Sequence, residues 1–400
     1  MGLMHRVLST VALMAACAMT NAASEKDAQV DAVDYVALDH AVAAMCGKSI
    51  VLLGEATHGD GHSDAVKVAL VKRLVSRCGF NGVLFESSFY EFFPISQSVR
   101  QMKPVSADLI AAAVGGLWKF DREVRPLFHF LATQVNAGKV KMGGLDFQAG
   151  GFEQPYGNDV MFTELTSRLP TERRDFCRTL YHARAWGDDP PNGLTVVALV
   201  EALKSCLHDI GSDDGAAEGH PGARTDHQSQ LMNLQAWLAN DGVARQELVR
   251  SRDRMMAENA SQFVDYLAKP AKVVIWTANG HAARDTSALG DYVNSDNLGA
   301  ALSHRYGNKV FSMGVTACGG EYRWSPGTNK AITAPPAASL EARYCKKSDV
   351  STFVGSKALK RADVCSSAMF GHSYKRAKWA DAFDGVLVLN AEYAPHSTRP

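Results

Sequence analysis

Residues 49–64 read SIVLLGEATHGDGHSD, and no other stretch limits the fold of the chain as strongly. Four apolar residues, Ile50, Val51, Leu52 and Leu53, run without alternation into Gly54, Glu55, Ala56, Thr57, His58 and Gly59, and an amphipathic run from Ala65 to Val75 begins at once. Such an apolar run, then a polar loop, then a helical period, reads as a strand buried on both faces, a short connection and a crossover helix. In sheets built from these units, ligands sit beyond the carboxyl ends of the strands, which is where Glu55 and His58 fall. Taken alone, the two are read equally well as capping residues facing water. Gly54, Gly59 and Gly61 allow backbone or ligand to approach closely.

Recurrence along the chain favours the chemical reading. Asn81-Gly82 leads into Val83, Leu84 and Phe85, and the run closes on Glu86, Ser87 and Ser88. A right-handed crossover through the helix from Ala65 to Arg77 predicts Glu55 and Glu86 side by side at one edge of the sheet. Lys139 to Leu145 reads as a third strand closing on Asp146, which also suits a turn or cap before Gly150-Gly151. Lys272 to Trp276 is a fourth, running into Thr277, Ala278, Asn279, Gly280 and His281. A lone His is usually structural or exposed; one at a strand end, in a chain with Glu55, His58 and Glu86 at such ends, is a candidate for the same cleft.

The rest of the chain reads as helices around this sheet. Phe89 to Met102 and Ala107 to Asn136 are helical, with Trp118, Phe120, Phe128 and Phe130 as core. Residues 152–270 form a mostly helical insertion or cap, with helices at Val160–Leu169, Glu172–Trp186, Val196–Ile210, His227–Asn240 and Gln246–Leu267. Pro190-Pro191 and the polar loop Gly211 to Thr225, with a solvated His220, break it. Arg252 and Arg254 come just before the return to the sheet, as surface ion pairs or reaching the site. A strand at Lys309–Val315, a hairpin about Gly319–Trp324, a loop-rich stretch Asn329–Ser367 and a closing strand Gly385–Asn390 follow. The expected fold is α/β, a mostly parallel central sheet flanked by helices with a large helical insertion; residues 24–151 and 271–400 make up the catalytic domain.

Charge and cysteine usage bound the setting. Lys plus Arg equals Asp plus Glu at 42 each, so nothing steers the chain toward nucleic acid or an anionic membrane, and a small-molecule partner is expected. Residues 1–23 read as a signal peptide: an apolar stretch from Val7 to Met19, too short to span a bilayer, then a small-residue cleavage site at Ala22 or Ala23. Cys17, after Ala15 and Ala16, is an alternative lipoprotein site, with Met14 a poor residue three places before it. No other run approaches the ~20 apolar residues of a membrane helix, so a periplasmic or secreted chain is expected. That compartment favours disulfides. A Cys46–Cys78 bridge would staple the central unit and Cys177–Cys206 two helices; Cys318, Cys345 and Cys365 complete the seven and leave one over. No Cys/His spacing suits a zinc finger.

Five separated segments, GEATHG, GFNGVLFES, GGLDFQ, RDRMMAEN and VVIWTANGH, resemble in order and spacing the erythromycin esterase family, over most of the chain from about residue 45 to the last strand. The resemblance implies a metal-independent hydrolase, without cofactor, that opens the ester of macrolide lactone rings; many members have no established substrate. Position by position, His58 matches the general base, Glu55 the acid three residues before it, Glu86 the acid ending the second strand and His281 the second histidine. Three positions depart from the pattern. Lys67 stands where relatives carry Arg, His62 where an acid is common, and Thr277 where a further His occurs.

Ester hydrolysis needs a base for water, an acid to orient the base, and donors for the oxyanion. His58 is assigned to activating water, Glu55 or Glu86 to orienting it, and His281 with Lys67 to the developing negative charge; His62, Asp146 and Arg252 are candidate substrate contacts. No Gly-x-Ser-x-Gly elbow occurs, which disfavours a serine nucleophile at Ser87 or Ser88. Two readings compete. Glu55, His58, Glu86 and His281 have the donors for a divalent metal, or the chain binds a polyketide- or porphyrin-like ligand without turning it over.

Overall fold

The computed structural model describes residues 35–150, 153–212, 221–286, 296–345 and 351–397. Residues 1–23, for which a signal peptide is expected, with Cys17, and His220, lie outside the described residues. The centre is a seven-stranded sheet made of β1 (Ile50–Leu53), β2 (Gly82–Ser88), β3 (Lys141–Asp146), β4 (Val273–Trp276), β5 (Val310–Ala317), β8 (Thr352–Gly355) and β11 (Gly385–Leu389), in the order β3-β2-β4-β1-β5-β11-β8. Every neighbouring pair is parallel except β8 with β11, so this is the mostly parallel sheet that the unbroken apolar runs predict.

Alternate residues of each strand serve opposite faces. Val51, Leu53, Val83, Phe85, Val274 and Trp276 belong to one core, under α1 (Tyr35–Met45), α2 (Gly61–Cys78), α4 (Ala107–Val114) and α5 (Arg125–Asn136). Ile50, Leu52, Leu84, Val273 and Ile275 belong to the other, under α10 (Arg245–Tyr266), α12 (Leu298–Tyr306), α14 (Ser356–Ala362) and α15 (Trp379–Ala382). Burial on both faces explains why these strands carry no polar alternation. A third core joins α6 (Met161–Leu165), α7 (Thr171–Trp186), α8 (Val196–Ser212) and α9 (Pro221–Ala239) to Tyr90, Phe93 and Phe147. α3 (Phe93–Arg100), α11 (Asn279–Ala282) and α13 (Leu340–Tyr344) complete the helices used below.

Four expectations need correction. Glu55 and Glu86 do not end adjacent strands, because β4 pairs with both β1 and β2 and lies between them. The crossover through α2 skips one position, which chain segments far downstream fill. The helix expected over Ala107–Asn136 is broken between α4 and α5: Gly115, at φ +79°, ends α4, and residues 115–124 form a loop that carries Trp118. The polar stretch expected as loop to Thr225 is helical from Pro221. The segment Asn329–Ser367 is not loop-rich throughout. It contains the end of β7 (Thr328–Ala331, paired with β6, Glu321–Ser325), α13, β8, α14 and the start of β9 (Val364–Phe370), which pairs with β10 (Ser373–Lys378).

Three disulfides tie the layers: Cys46–Cys78, Cys177–Cys206 and Cys318–Cys345, with Cys365 buried as a free thiol. Cys46–Cys78 joins the end of α1 to the end of α2 across a separation of 32 residues. Among the described residues no helix is long and apolar enough to cross a membrane. Closing a loop of that length removes unfolded-state entropy, so Cys46→Ala with Cys78→Ala is expected to lower stability by about 2–4 kcal/mol, measured by urea unfolding against wild type under non-reducing conditions.

Candidate active site

The register of the sheet puts Leu53, Phe85 and Trp276 in one row, so the residues that follow them emerge at the same edge. From β1, Glu55 presents one carboxylate oxygen to each of two partners. Oε1 lies 2.7 Å from His58 Nδ1, and Oε2 accepts from Lys67 Nζ at 2.5 Å. Lys67, from α2, also donates to the Thr277 carbonyl at 3.3 Å and sits 4.1 Å above the Trp276 ring. Both Glu55 and Lys67 are closed to solvent, whereas the His58 ring keeps 33 % of its surface exposed. The Trp118 ring meets His58 edge-on, 5.1 Å between centroids.

Glu86, at the end of β2, is the second centre. Its Oε2 accepts from Thr277 Oγ1 at 2.7 Å and from the Ala278 amide at 2.9 Å, at the mouth of β4. Its Oε1 accepts from Arg252 Nη2 at 3.0 Å and faces His281 Nε2 at 3.2 Å and His58 Nε2 at 3.8 Å. The two imidazoles therefore converge on one carboxylate oxygen. His281, in α11, turns Nδ1 to Asp253 Oδ1 at 2.7 Å, and Asp253 also accepts from the Leu298 amide. Arg252, one residue earlier on α10, donates from Nε to Asp146 at 2.9 Å. The ion pair expected at the surface is thus a bridge between strand ends.

Two glycines make this packing possible. A Cβ on Gly54 would run into the Asn279 side chain, and one on Gly59 into the Arg323 carbonyl. Beyond Glu86, a half-open cavity of about 410 Å³ is lined by Ser87, Ser88, Gly115, Leu117, Asp146 and Arg252 among others.

Charge is unevenly distributed. For His281, burial would lower the pKa, but the charges of Glu86 and Asp253 and their hydrogen bonds raise it to about 10, so it is an imidazolium at neutral pH. Burial opposes the carboxylate of Glu86, yet His281, His58 and Arg252 hold it well below the usual range. His58 is pulled down by burial and pushed further up by the Glu55 hydrogen bond and by the charges of Glu86 and Glu55, leaving it above its ordinary value.

The residues singled out from sequence do not all meet. Glu55, His58, Glu86, Asp146, Arg252 and His281 form one linked cluster. Lys67 belongs to it from behind: it is closed to solvent under Trp276 and so cannot contact a substrate or an oxyanion, which corrects that assignment. His62 turns its ring Nδ1 to the Ala391 carbonyl at 2.6 Å and stacks on Tyr393, so these bonds lead to the C-terminal segment. Asp253 and Trp118 were not singled out for chemistry. Asp253 adjoins Arg252 in RDRMMAEN, the one signal that pointed to it; Trp118 read as core, and it is fully buried as well as touching His58.

The sequence model of the erythromycin esterases matches residues 75–391, which include Glu86, Asp146, Arg252 and His281 and begin after Glu55 and His58. The chain is 25% identical over 323 residues to YbfO of Bacillus subtilis, a hydrolase by inference, covering 74% of this chain and 71% of that one. Among solved structures, a protein from Bacillus cereus aligns with a TM-score of 0.69 at 18% identity over 89% of this chain and 92% of that one. The open conformation of a mutant erythromycin esterase, EreC, aligns with a TM-score of 0.64 at 14% identity over 90% and 94%. These structural likenesses establish the fold.

Removing the cation while leaving Glu55 buried strands a charge. Lys67→Met is expected to cost about 3–5 kcal/mol in urea unfolding at neutral pH. Lys67→Arg, which keeps the charge, should lose less in the same measurement.

Proposed function

The chain belongs to the erythromycin esterase family, and from that premise we propose that its cleft hydrolyses a carboxylic ester or lactone with water activated by His58. The observation that carries this reading is the asymmetry of His58. Its Nδ1 is fixed by a buried carboxylate while the ring remains one-third open, and Nε2, 3.8 Å from Glu86, has no short bond among the described residues. A ring held in this way has one nitrogen oriented and the other free for a proton.

Nε2 takes a proton from water as the water oxygen bonds to the carbonyl carbon. The tetrahedral oxyanion gains from the positive His281 and from Arg252. Collapse breaks the bond to the alcohol oxygen, which takes the proton back from His58, giving acid and alcohol. Glu55 faces the imidazolium that forms in between, and Lys67 holds Glu55 in place through its bond to Oε2. Both oxygens of Glu55 and of Glu86 already have cationic or N–H partners, which supports a metal-free route over the competing metal reading. The three disulfides support an extracytoplasmic setting.

A panel of macrolides, simple lactones and aryl esters, with and without chelator, tests the proposal. Turnover unaffected by chelator supports it; turnover lost with chelator and restored by zinc or manganese overturns the route, and tight binding without turnover overturns the activity. On an accepted substrate, His58→Ala should lower kcat/KM by about 10²–10⁴-fold with an unchanged circular dichroism spectrum.

The pH profile gives a second check. A base works unprotonated, and the pKa of His58 lies above its ordinary value of 6.5. The rate should therefore rise with pH through a midpoint above 6.5. Glu55→Gln, which removes a negative charge favouring the protonated ring while keeping an acceptor for Nδ1, should move that midpoint down.

A further inference from the structure

The turn between β9 and β10 is made by Gly371 and His372, both with positive φ, +61° and +54°. Glycine occupies this region without strain, whereas a histidine there is held in a backbone conformation that residues with a Cβ rarely adopt. Something in the fold must favour that side chain.

His372 is buried, and its Nε2 lies 2.8 Å from Asp60 Oδ1. Its ring packs on Tyr322 from β6 at 4.5 Å. Asp60, also buried, accepts from the Thr57 amide at 2.8 Å and from Thr57 Oγ1 at 2.7 Å, and Thr57 Oγ1 accepts from the Gly59 amide. These bonds bracket His58 on both sides. The same turn reaches the loop a second time, as the Gly371 amide donates to the Ala56 carbonyl at 3.2 Å. Two residues earlier, the Met369 carbonyl accepts from Asn279 Nδ2, and the Asn279 amide donates to the Glu55 carbonyl.

We propose that the β9–β10 turn, through His372 acting on Asp60 and Thr57, is the positioning element that sets the His58 imidazole against Glu55. None of these residues reaches the reacting atoms. The inference rests on the hydrolytic reading for its effect on rate, but the geometry it predicts at His58 does not depend on turnover.

The test compares His372→Gly with His372→Gln in the full chain. Glycine removes the ring and tolerates the backbone angle; glutamine restores an N–H donor near the position of Nε2. The His58 side-chain resonance, assigned by its loss in His58→Ala, is expected to move in His372→Gly toward its position in Glu55→Ala and to return in His372→Gln. With an accepted ester, kcat should fall about ten- to a hundred-fold in the glycine variant, with KM within about twofold and recovery in the glutamine variant. Should the glycine variant not fold, Thr57→Val, which removes the hydroxyl facing Asp60, should move the same resonance. A folded glycine variant with an unmoved His58 resonance, or a rise in KM at constant kcat, overturns the proposal. If no ester is turned over while the resonance moves as expected, the hydrolytic reading fails and the positioning role stands.

Discussion

A carboxylate that is only 2 % exposed has to find a partner for each lone pair, and Glu86 finds them on three elements besides its own strand. Its own strand β2 supplies the side chain, the segment after β4 the Thr277 hydroxyl and Ala278 amide, α10 the Arg252 guanidinium, and α11 the His281 ring. No partner can withdraw without leaving charge uncompensated in a closed space. The carboxylate thus fixes how far the end of β2 stands from the mouth of β4, and how α10 approaches the sheet. The positive His281 follows from the same bonding, because a ring between Glu86 and Asp253 holds its proton.

Around Glu55 the same rule works through distant residues. The first turn of α2 has an N-cap, Asp60, whose side chain makes no capping bond and serves Thr57 and His372 instead. The open amides of that turn are met by Glu392, which accepts from His62 and Ser63 from the far end of the chain. Burial and the charge of Asp60 push the pKa of Glu392 up to about 8, so the helix start is capped by a group under electrostatic pressure. The loop that carries His58 is held between the closing segment, the β9–β10 turn and β6, whose Arg323 amide donates to the Gly59 carbonyl.

Much of the sheet and most of the cluster were legible in the sequence because they depend on local pattern. Unbroken apolar runs marked β1, β2 and β4, and an acid or imidazole just past each run marked Glu55, His58, Glu86 and His281. What could not be read depends on strand order. Nothing local says that β4 enters between β1 and β2, so the distance between Glu55 and Glu86 was misjudged, and Arg252 looked as much like a surface residue as a bridge. Trp118 illustrates a different limit: its burial was legible and its contact with His58 was not, because the break at Gly115 re-aims the chain after α4. The pairing at Glu392 spans 330 residues, beyond any periodicity.

The interposed fourth strand orders events during biosynthesis. Until residue 273 has left the ribosome or the translocation channel, β1 and β2 face each other across a missing neighbour, each with an open hydrogen-bonding edge. Glu86 meanwhile lacks Thr277, Ala278 and His281, the partners that follow β4. Roughly the first two-thirds of the polypeptide therefore precedes the assembly of this cluster, which comes together late, when the gap between β1 and β2 is closed.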